Sequence, residues 1–248
     1  MTGARRVIAI TGAGGSLGAA LSSQFAGEPD TDLVLSDLSA PSLDATLAGL
    51  PEPSGGVETQ LADVSDFAQV EGVVRLAVER FGRLDVLISN AGVLSPNGRI
   101  HNLATEDWEM AFRVNVLGAV NGIRAAVPVM REQRSGSIVL TASVSGLTAW
   151  SHAAPYCATK AAVIQLAKVA AVEYARDGIR VNSVCPGTFL SGIHAELPEE
   201  AMASIAARHP LGLGSAADLV GAYSYLASDA SRWTTGSAMV VDGGYGAP

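Results

Sequence analysis

The run Arg6-Val7-Ile8-Ala9-Ile10-Thr11-Gly12-Ala13-Gly14-Gly15-Ser16-Leu17-Gly18, continuing through Ala19-Ala20-Leu21 to Phe25, decides the fold. Its first residues are nearly all apolar, as in a strand buried on both faces. The glycines let the chain turn sharply, and the residues after them read as a helix. Strand, glycine turn and helix, in that order, form the context a dinucleotide site requires. Glycine lets the backbone approach a pyrophosphate, and the unpaired N–H groups at a helix start bind its negative charge. A tight turn without a ligand would also explain this stretch taken alone.

Outward from it, Leu33-Val34-Leu35-Ser36-Asp37 reads as a second buried strand that ends on a carboxylate nineteen residues after Gly18. An acid there can accept hydrogen bonds from both ribose hydroxyls of an adenosine and would repel a 2'-phosphate. No Arg or Lys lies in the glycine loop or just beyond Asp37, so NAD is favoured over NADP; the competing reading of Asp37 is a helix cap. A weak helical pattern covers Pro41 to Leu50, and Val57 to Leu61 alternates like a less buried strand, with Asp63 at its exit. Asp66 to Phe81 is an amphipathic helix closed by Gly82. Leu84 to Ile88 is a strand that stops at Ser89-Asn90-Ala91-Gly92. Thr105 is the expected N-cap of one long helix running toward Met130, with Asn115 in its middle. Ser137 to Leu140 forms a fifth strand with Ser143 and Ser145 in its polar exit, and Ile179 to Cys185 a sixth, broken by Pro186-Gly187. Residues 188 to 214 lose sheet periodicity apart from a short helix at Glu199 to Arg208, as a lid over a site would. A helix from Ala216 to Ser228 and a strand from Ala238 to Val241 complete the chain. This alternation predicts a single α/β domain over 1–248, a Rossmann-like doubly wound parallel sheet of about seven strands with helices on both faces. Thr11-Gly12, Asp37, Asn90, Ser143 and Pro186-Gly187 would then converge beyond the strands' carboxyl ends, where such sheets bind ligands.

A second stretch bears on chemistry. Pro155-Tyr156-Cys157-Ala158-Thr159-Lys160 opens a run of helix formers, which sets Tyr156 and Lys160 one turn apart on one face. A free phenol ionises near pH 10. A positive charge roughly 5 Å away, at an effective dielectric of about 20, favours the phenolate by about 3 kcal/mol, or roughly two pKa units. That would bring Tyr156 into range for acid–base work. Taken alone, a Tyr–Lys pair at this spacing also fits ordinary surface decoration.

Composition narrows the alternatives. The 248 residues, 48% of them hydrophobic, suffice for one sizeable core. A net charge of -8 without any basic cluster argues against nucleic-acid or anionic-membrane partners. The apolar run before Thr11 is too short for a signal core and no later run approaches a membrane span, so a cytoplasmic location is expected. Cys157 and Cys185 suit a reducing compartment as buried thiols, and no metal is expected.

Over nearly its whole length the sequence resembles the short-chain dehydrogenase/reductase family in its single-domain form. Thr11 to Gly18 is similar to the family's glycine motif, Ser89-Asn90-Ala91-Gly92 to its Asn-Asn-Ala-Gly motif, and Asn115, Ser143, Tyr156 and Lys160 to its catalytic tetrad. Ser143 precedes Tyr156 by thirteen positions, the family's usual gap, and is favoured over Ser145. The resemblance implies reversible hydride transfer between a nicotinamide and a secondary alcohol or ketone. Tyr156 would exchange the hydroxyl proton, Lys160 would hold the nicotinamide ribose and lower the tyrosine pKa, Ser143 would bind the substrate oxygen, and Asn115 would support a proton-relaying water. It further implies cofactor contacts at Gly12, Gly14, Gly15, Ser16, Leu17, Gly18, Asp37, Asp63, Val64, Asn90, Ala91, Gly92, Pro186, Gly187, Thr188, Phe189 and Ser191, and a homotetramer. Ser16 stands where the family's second motif glycine is usual, with Gly15 taking part of its role; Ser89, Phe189 and Leu213 also depart from the pattern. Leu94, Ser145, Trp150, Phe189 and His194 are candidate substrate contacts, and their apolar members suit a cyclic or aromatic small-molecule substrate. A non-catalytic nicotinamide sensor and an epimerase that recycles its NAD are the competing functions.

Overall fold

The computed structural model describes residues 5–191 and 199–247. Seven strands form one parallel sheet in the order β3-β2-β1-β4-β5-β6-β7. They are β1 Arg6–Thr11, β2 Thr31–Asp37, β3 Val57–Leu61, β4 Val86–Ser89, β5 Gly136–Thr141, β6 Ile179–Pro186 and β7 Ala238–Val241. The helices are α1 Ser16–Gly27, α2 Ala40–Ala48, α3 Phe67–Phe81, α4 Thr105–Ala111, α5 Gly118–Gln133, α6 Ala154–Tyr174, α7 Glu199–Ala206 and α8 Ala216–Ala227. Among the described residues no helix is long and apolar enough to cross a membrane.

β1 occupies the centre because it is apolar on both faces. Val7 and Ala9 join the core shared with α3, α5 and α6, while Ile8 and Ile10 join the core under α1 and α8. Successive side chains alternate across a strand, so this run needs a helical layer on each side. β3 lies at the edge, and its half-polar sequence leaves its residues only partly covered. The chain leaves β1 toward β2 and β3, then returns to the other flank for β4. That reversal opens a crevice at the carboxyl ends of β1 and β4.

The helix ends follow the sequence signals in most places. The Asp66 carboxylate accepts from the N–H of Ala68 at 2.9 Å and caps α3, and Gly82 closes it at φ 80. The expected cap at Thr105 is corrected: Ala104 takes the cap position, and the Asp107 carboxylate accepts its N–H at 3.0 Å. The single long helix expected from Thr105 toward Met130 is corrected as well. Residues Phe112–Leu117 form a π turn between α4 and α5. One extra residue per turn is a local cost that helices tolerate mostly at functional sites.

Candidate active site

The glycine loop closes tightly because Gly12, Gly14 and Gly18 have no room for a side chain; a Cβ at Gly14 would fall 2.6 Å from the Ser42 Cβ. Gly12 takes φ 67, and a Cβ there would fall 2.7 Å from the Ala91 Cα; at Gly18 it would fall 2.0 Å from the Gly12 carbonyl oxygen. Gly18 therefore acts beneath the loop, letting α1 sit against it, and does not line the cleft. Gly15 differs. It takes the cap position of α1, and a Cβ there would meet only the Gly12 oxygen at 3.5 Å, an ordinary contact. Packing within the protein does not demand glycine at 15, whereas a phosphate seated on the helix start would. The cradle therefore fits a dinucleotide, with Ser16 as the first residue of α1 and part of the cleft lining.

Asp37 stands at the end of β2. Its Oδ2 accepts from the Gly14 N–H at 2.8 Å and its Oδ1 from the Ser39 N–H at 2.9 Å. The cap of α2 is Ser39, which answers the competing reading of Asp37. Each carboxylate oxygen keeps a lone pair for a further donor. Asn90 ties the neighbouring strand ends together: its Nδ2 donates to the Gly12 carbonyl at 3.1 Å and its Oδ1 accepts from the Thr141 hydroxyl at 3.2 Å. Thr141 in turn pairs with the buried Tyr223 hydroxyl at 2.8 Å.

Tyr156 and Lys160 share the first turns of α6, as their spacing predicts, with Nζ 5.7 Å from the ring centroid. Lys160 donates to the Thr141 carbonyl at 2.8 Å and is 4% exposed. Burial pushes its pKa down to about 8. The tyrosine shift is opposite to the one expected from the Tyr–Lys spacing. Burial drives the Tyr156 phenol above its ordinary value, while a hydrogen bond with Ser143 works the other way. Burial dominates the phenol, and the lysine beside it is itself desolvated and donates to a carbonyl. Ser143 is held by its neighbour: its Oγ accepts from the Ser145 N–H at 3.1 Å and donates to the Ser145 Oγ at 3.2 Å. Ser145 is thus buried behind Ser143 and does not line the cleft. Asn115 sits in the π turn, donates to the Val93 carbonyl at 2.9 Å and to Thr159 Oγ1 at 3.1 Å, and accepts from the Val93 N–H at 2.8 Å. Cys185 is a packing thiol, pushed up to about 11 by burial.

The lysine shift makes a stability prediction. Because the folded pKa of about 8 lies below the ordinary 10.5, the unfolded chain binds the extra proton between those values. Stability owed to this residue therefore rises with pH across that window, and below pH 8 the full burial cost is carried. Denaturant unfolding of wild type and Lys160→Met at pH 7.5 and 9.5 should show wild type gaining about 2 kcal/mol on the variant. A difference constant with pH would remove the shift.

One cleft of about 760 Å³ gathers these parts. Gly12, Gly14, Gly15, Ser16, Leu17, Asp37, Asp63, Val64, Asn90, Ala91 and Gly92 line one half; Leu94, Ser143, Trp150, Tyr156, Lys160, Pro186, Gly187, Thr188, Phe189 and Ser191 line the other. His194 falls outside the described residues, as do Ile193 and Leu197. His152 is exposed and paired with Ser151. Arg113 also lines the cleft, from within the π turn two residues before Asn115, and no motif of the sequence marks it. Nor does any motif mark Thr141, yet its carbonyl and hydroxyl tie Lys160 and Asn90 to one residue.

Known proteins share this arrangement. Residues 12–246 match the family model described as enoyl-(acyl carrier protein) reductase. The 3-oxoacyl-[acyl-carrier-protein] reductase of Thermotoga maritima is 36% identical over 96% of this chain and 97% of its own. Levodione reductase of Leifsonia aquatica is 34% identical over 98% and 94% of the two chains. The crystal structure of an NAD+-bound xylitol dehydrogenase superposes with a TM-score of 0.90 at 27% identity, covering 98% of this chain and 100% of the other. With the parallel sheet, the glycine loop and the Ser143–Tyr156–Lys160 cluster already in place, these likenesses establish that the chain belongs to the short-chain dehydrogenase/reductase family, nicotinamide-dependent oxidoreductases acting on CH–OH groups.

Proposed function

We propose that the protein is an NAD-dependent dehydrogenase that interconverts an apolar, cyclic or aromatic secondary alcohol and its ketone. The observation that carries this reading is the cleft itself, with the Asp37 carboxylate, in no ion pair among the described residues, at one end and the Ser143 and Tyr156 hydroxyls beside Lys160 at the other. Asp37 would take the adenosine ribose hydroxyls, and its charge opposes a 2'-phosphate. Asp63 and Val64 would take adenine, Lys160 the nicotinamide ribose, and Thr188 and Ser191 the carboxamide. Bound nicotinamide supplies the hydride acceptor for alcohol oxidation and the donor for ketone reduction. Ser143 would hydrogen-bond the substrate oxygen, where negative charge grows during reduction. Tyr156, kept protonated by burial, is suited to donate its proton to that oxygen. In the oxidation direction it must take a proton, which the Lys160 charge assists, and Asn115 would support a water carrying protons to solvent. Leu94, Trp150 and Phe189 would form an apolar substrate wall.

Several further features belong to the same reading. We place residues 1–248 in one domain, with 188–214 as a lid over the substrate. Exposed apolar residues on the π turn (Phe112, Leu117), on α6 (Val169, Val172) and beyond α8 (Trp233, Val240) support a homotetramer. The free thiols of Cys157 and Cys185 are compatible with a cytoplasmic location.

A panel of cyclic secondary alcohols with NAD tests the proposal through release of free NADH. An epimerase would turn over without accumulating NADH, and a sensor would bind NAD without turnover. A 3-oxoacyl thioester belongs in the reverse assay, because the Thermotoga relative's name specifies that substrate class. Faster reduction of the thioester than of cyclic ketones would reassign the substrate.

A further inference from the structure

His209 follows α7, lies outside every motif described above, and is 3% exposed. Both of its ring nitrogens are engaged. Nε2 faces the Thr188 N–H at 3.1 Å and Nδ1 faces the Ile205 carbonyl at 2.9 Å. A backbone N–H can only donate, so Nε2 is the bare nitrogen and the proton sits on Nδ1. The Thr188 carbonyl accepts from the Gly214 N–H at 3.3 Å, so the returning segment grips both polar groups of this peptide unit's residue. What the grip presents is the Thr188 hydroxyl, which is buried, without a partner among the described residues, and part of the cleft lining. A buried hydroxyl left unpaired is costly, which marks the position for a polar group on a ligand.

The same histidine touches the end of the chain. The Tyr245 ring stands 4.8 Å from the His209 ring, and the Tyr245 hydroxyl accepts from Trp150 Nε1 at 2.7 Å. Gly243 and Gly244 take φ 59 and 89 to turn the chain there, and the Gly243 carbonyl accepts from the Leu211 N–H at 3.0 Å. Trp150 has its only polar atom occupied by Tyr245, so the indole offers an apolar surface to the cleft.

We propose that His209 is a positioning residue that holds Thr188 for the nicotinamide end of the cofactor, and that Tyr245 extends the same buried bridge to Trp150 in the substrate wall. Cofactor seat and substrate wall are then set by one strap, drawn from the base of the lid and the last residues of the chain. The assignment rests on the nicotinamide-binding reading above, and its test separates the two.

NADH and ADP-ribose, which lacks the nicotinamide ring, are titrated into wild type, His209→Phe, His209→Gln and Tyr245→Phe. His209→Phe should raise the NADH Kd about tenfold, the loss equivalent to one hydrogen bond of ordinary strength, and leave the ADP-ribose Kd within about twofold. His209→Gln, whose amide oxygen can accept near the Nε2 position, should recover most of the NADH affinity. Tyr245→Phe should leave the NADH Kd within about twofold and raise the substrate KM about fivefold, because only the hold on Trp150 is lost. If His209→Phe does not fold, the smaller His209→Leu takes its place with the same expected result. Unchanged NADH binding, equal weakening of both ligands in a folded variant, or an unchanged KM in Tyr245→Phe overturns the proposal. A wild type that binds neither ligand overturns the cofactor reading itself, and this assignment with it.

Discussion

Tyr156→Phe is expected to lower kcat by about 10²–10⁴-fold while NADH binding changes little, the range for losing a positioned proton-transfer group. The change removes one oxygen from a partly buried ring at the start of α6, whose other contacts remain. Lys160 keeps its bond to the Thr141 carbonyl, and Ser143 keeps its two bonds to Ser145, so the cofactor side of the cleft is undisturbed. What disappears is the proton donor on the substrate oxygen. Steady-state kinetics in both directions, paired with NADH titration, make the measurement. Turnover within tenfold of wild type in a folded variant would mean that the proton travels by another group.

Asp37→Ser should reduce the preference for NAD over NADP, measured as the ratio of kcat/KM values, by at least about 100-fold. Two effects act together. Hydrogen bonds from ribose hydroxyls to a carboxylate are charge-assisted and are each worth about 1.5–3 kcal/mol, and serine offers one neutral acceptor in their place. The carboxylate's repulsion of a 2'-phosphate also vanishes. A tenfold ratio corresponds to about 1.4 kcal/mol, so a 100-fold change asks for about 2.8 kcal/mol, within what two such bonds supply. The Gly14 and Ser39 N–H groups lose their acceptor in the variant, but both residues are only partly buried, so water can replace it. An unchanged ratio would show that the cofactor is chosen elsewhere, with Arg113 in the same cleft the first residue to examine.

Much of this arrangement was legible in the sequence because its determinants are local. The β1–glycine–α1 unit is fixed by neighbours along the chain: apolar residues need a two-sided burial, and Gly12 and Gly18 mark points where no Cβ fits. The strand ends that form the cleft follow from the alternation of the two periods. Other features depend on partners distant in sequence. The π turn at Phe112–Leu117 carries no residue that stops a regular helix; Asn115 reaching the Val93 peptide is what pays for it. Spacing placed Lys160 beside Tyr156 but could not weigh the water each loses, and so gave the tyrosine shift the wrong direction. His209 stands twenty-one residues from Thr188 across a segment without periodicity, and nothing in its surroundings marks it as a partner.

The widened turn between α4 and α5 also restricts how this chain can change in length. The widened turn holds one residue more than a regular one, so deleting any one residue from Phe112 to Leu117 would let α4 and α5 join as one regular helix with their register nearly unchanged. The loss would fall on Asn115, whose three hydrogen bonds to Val93 and Thr159 depend on where the widened turn sets it. A one-codon deletion there would spare the packing of α5 and displace the Asn115 amide, whereas the same deletion inside α5 would turn its buried stripe by about 100°.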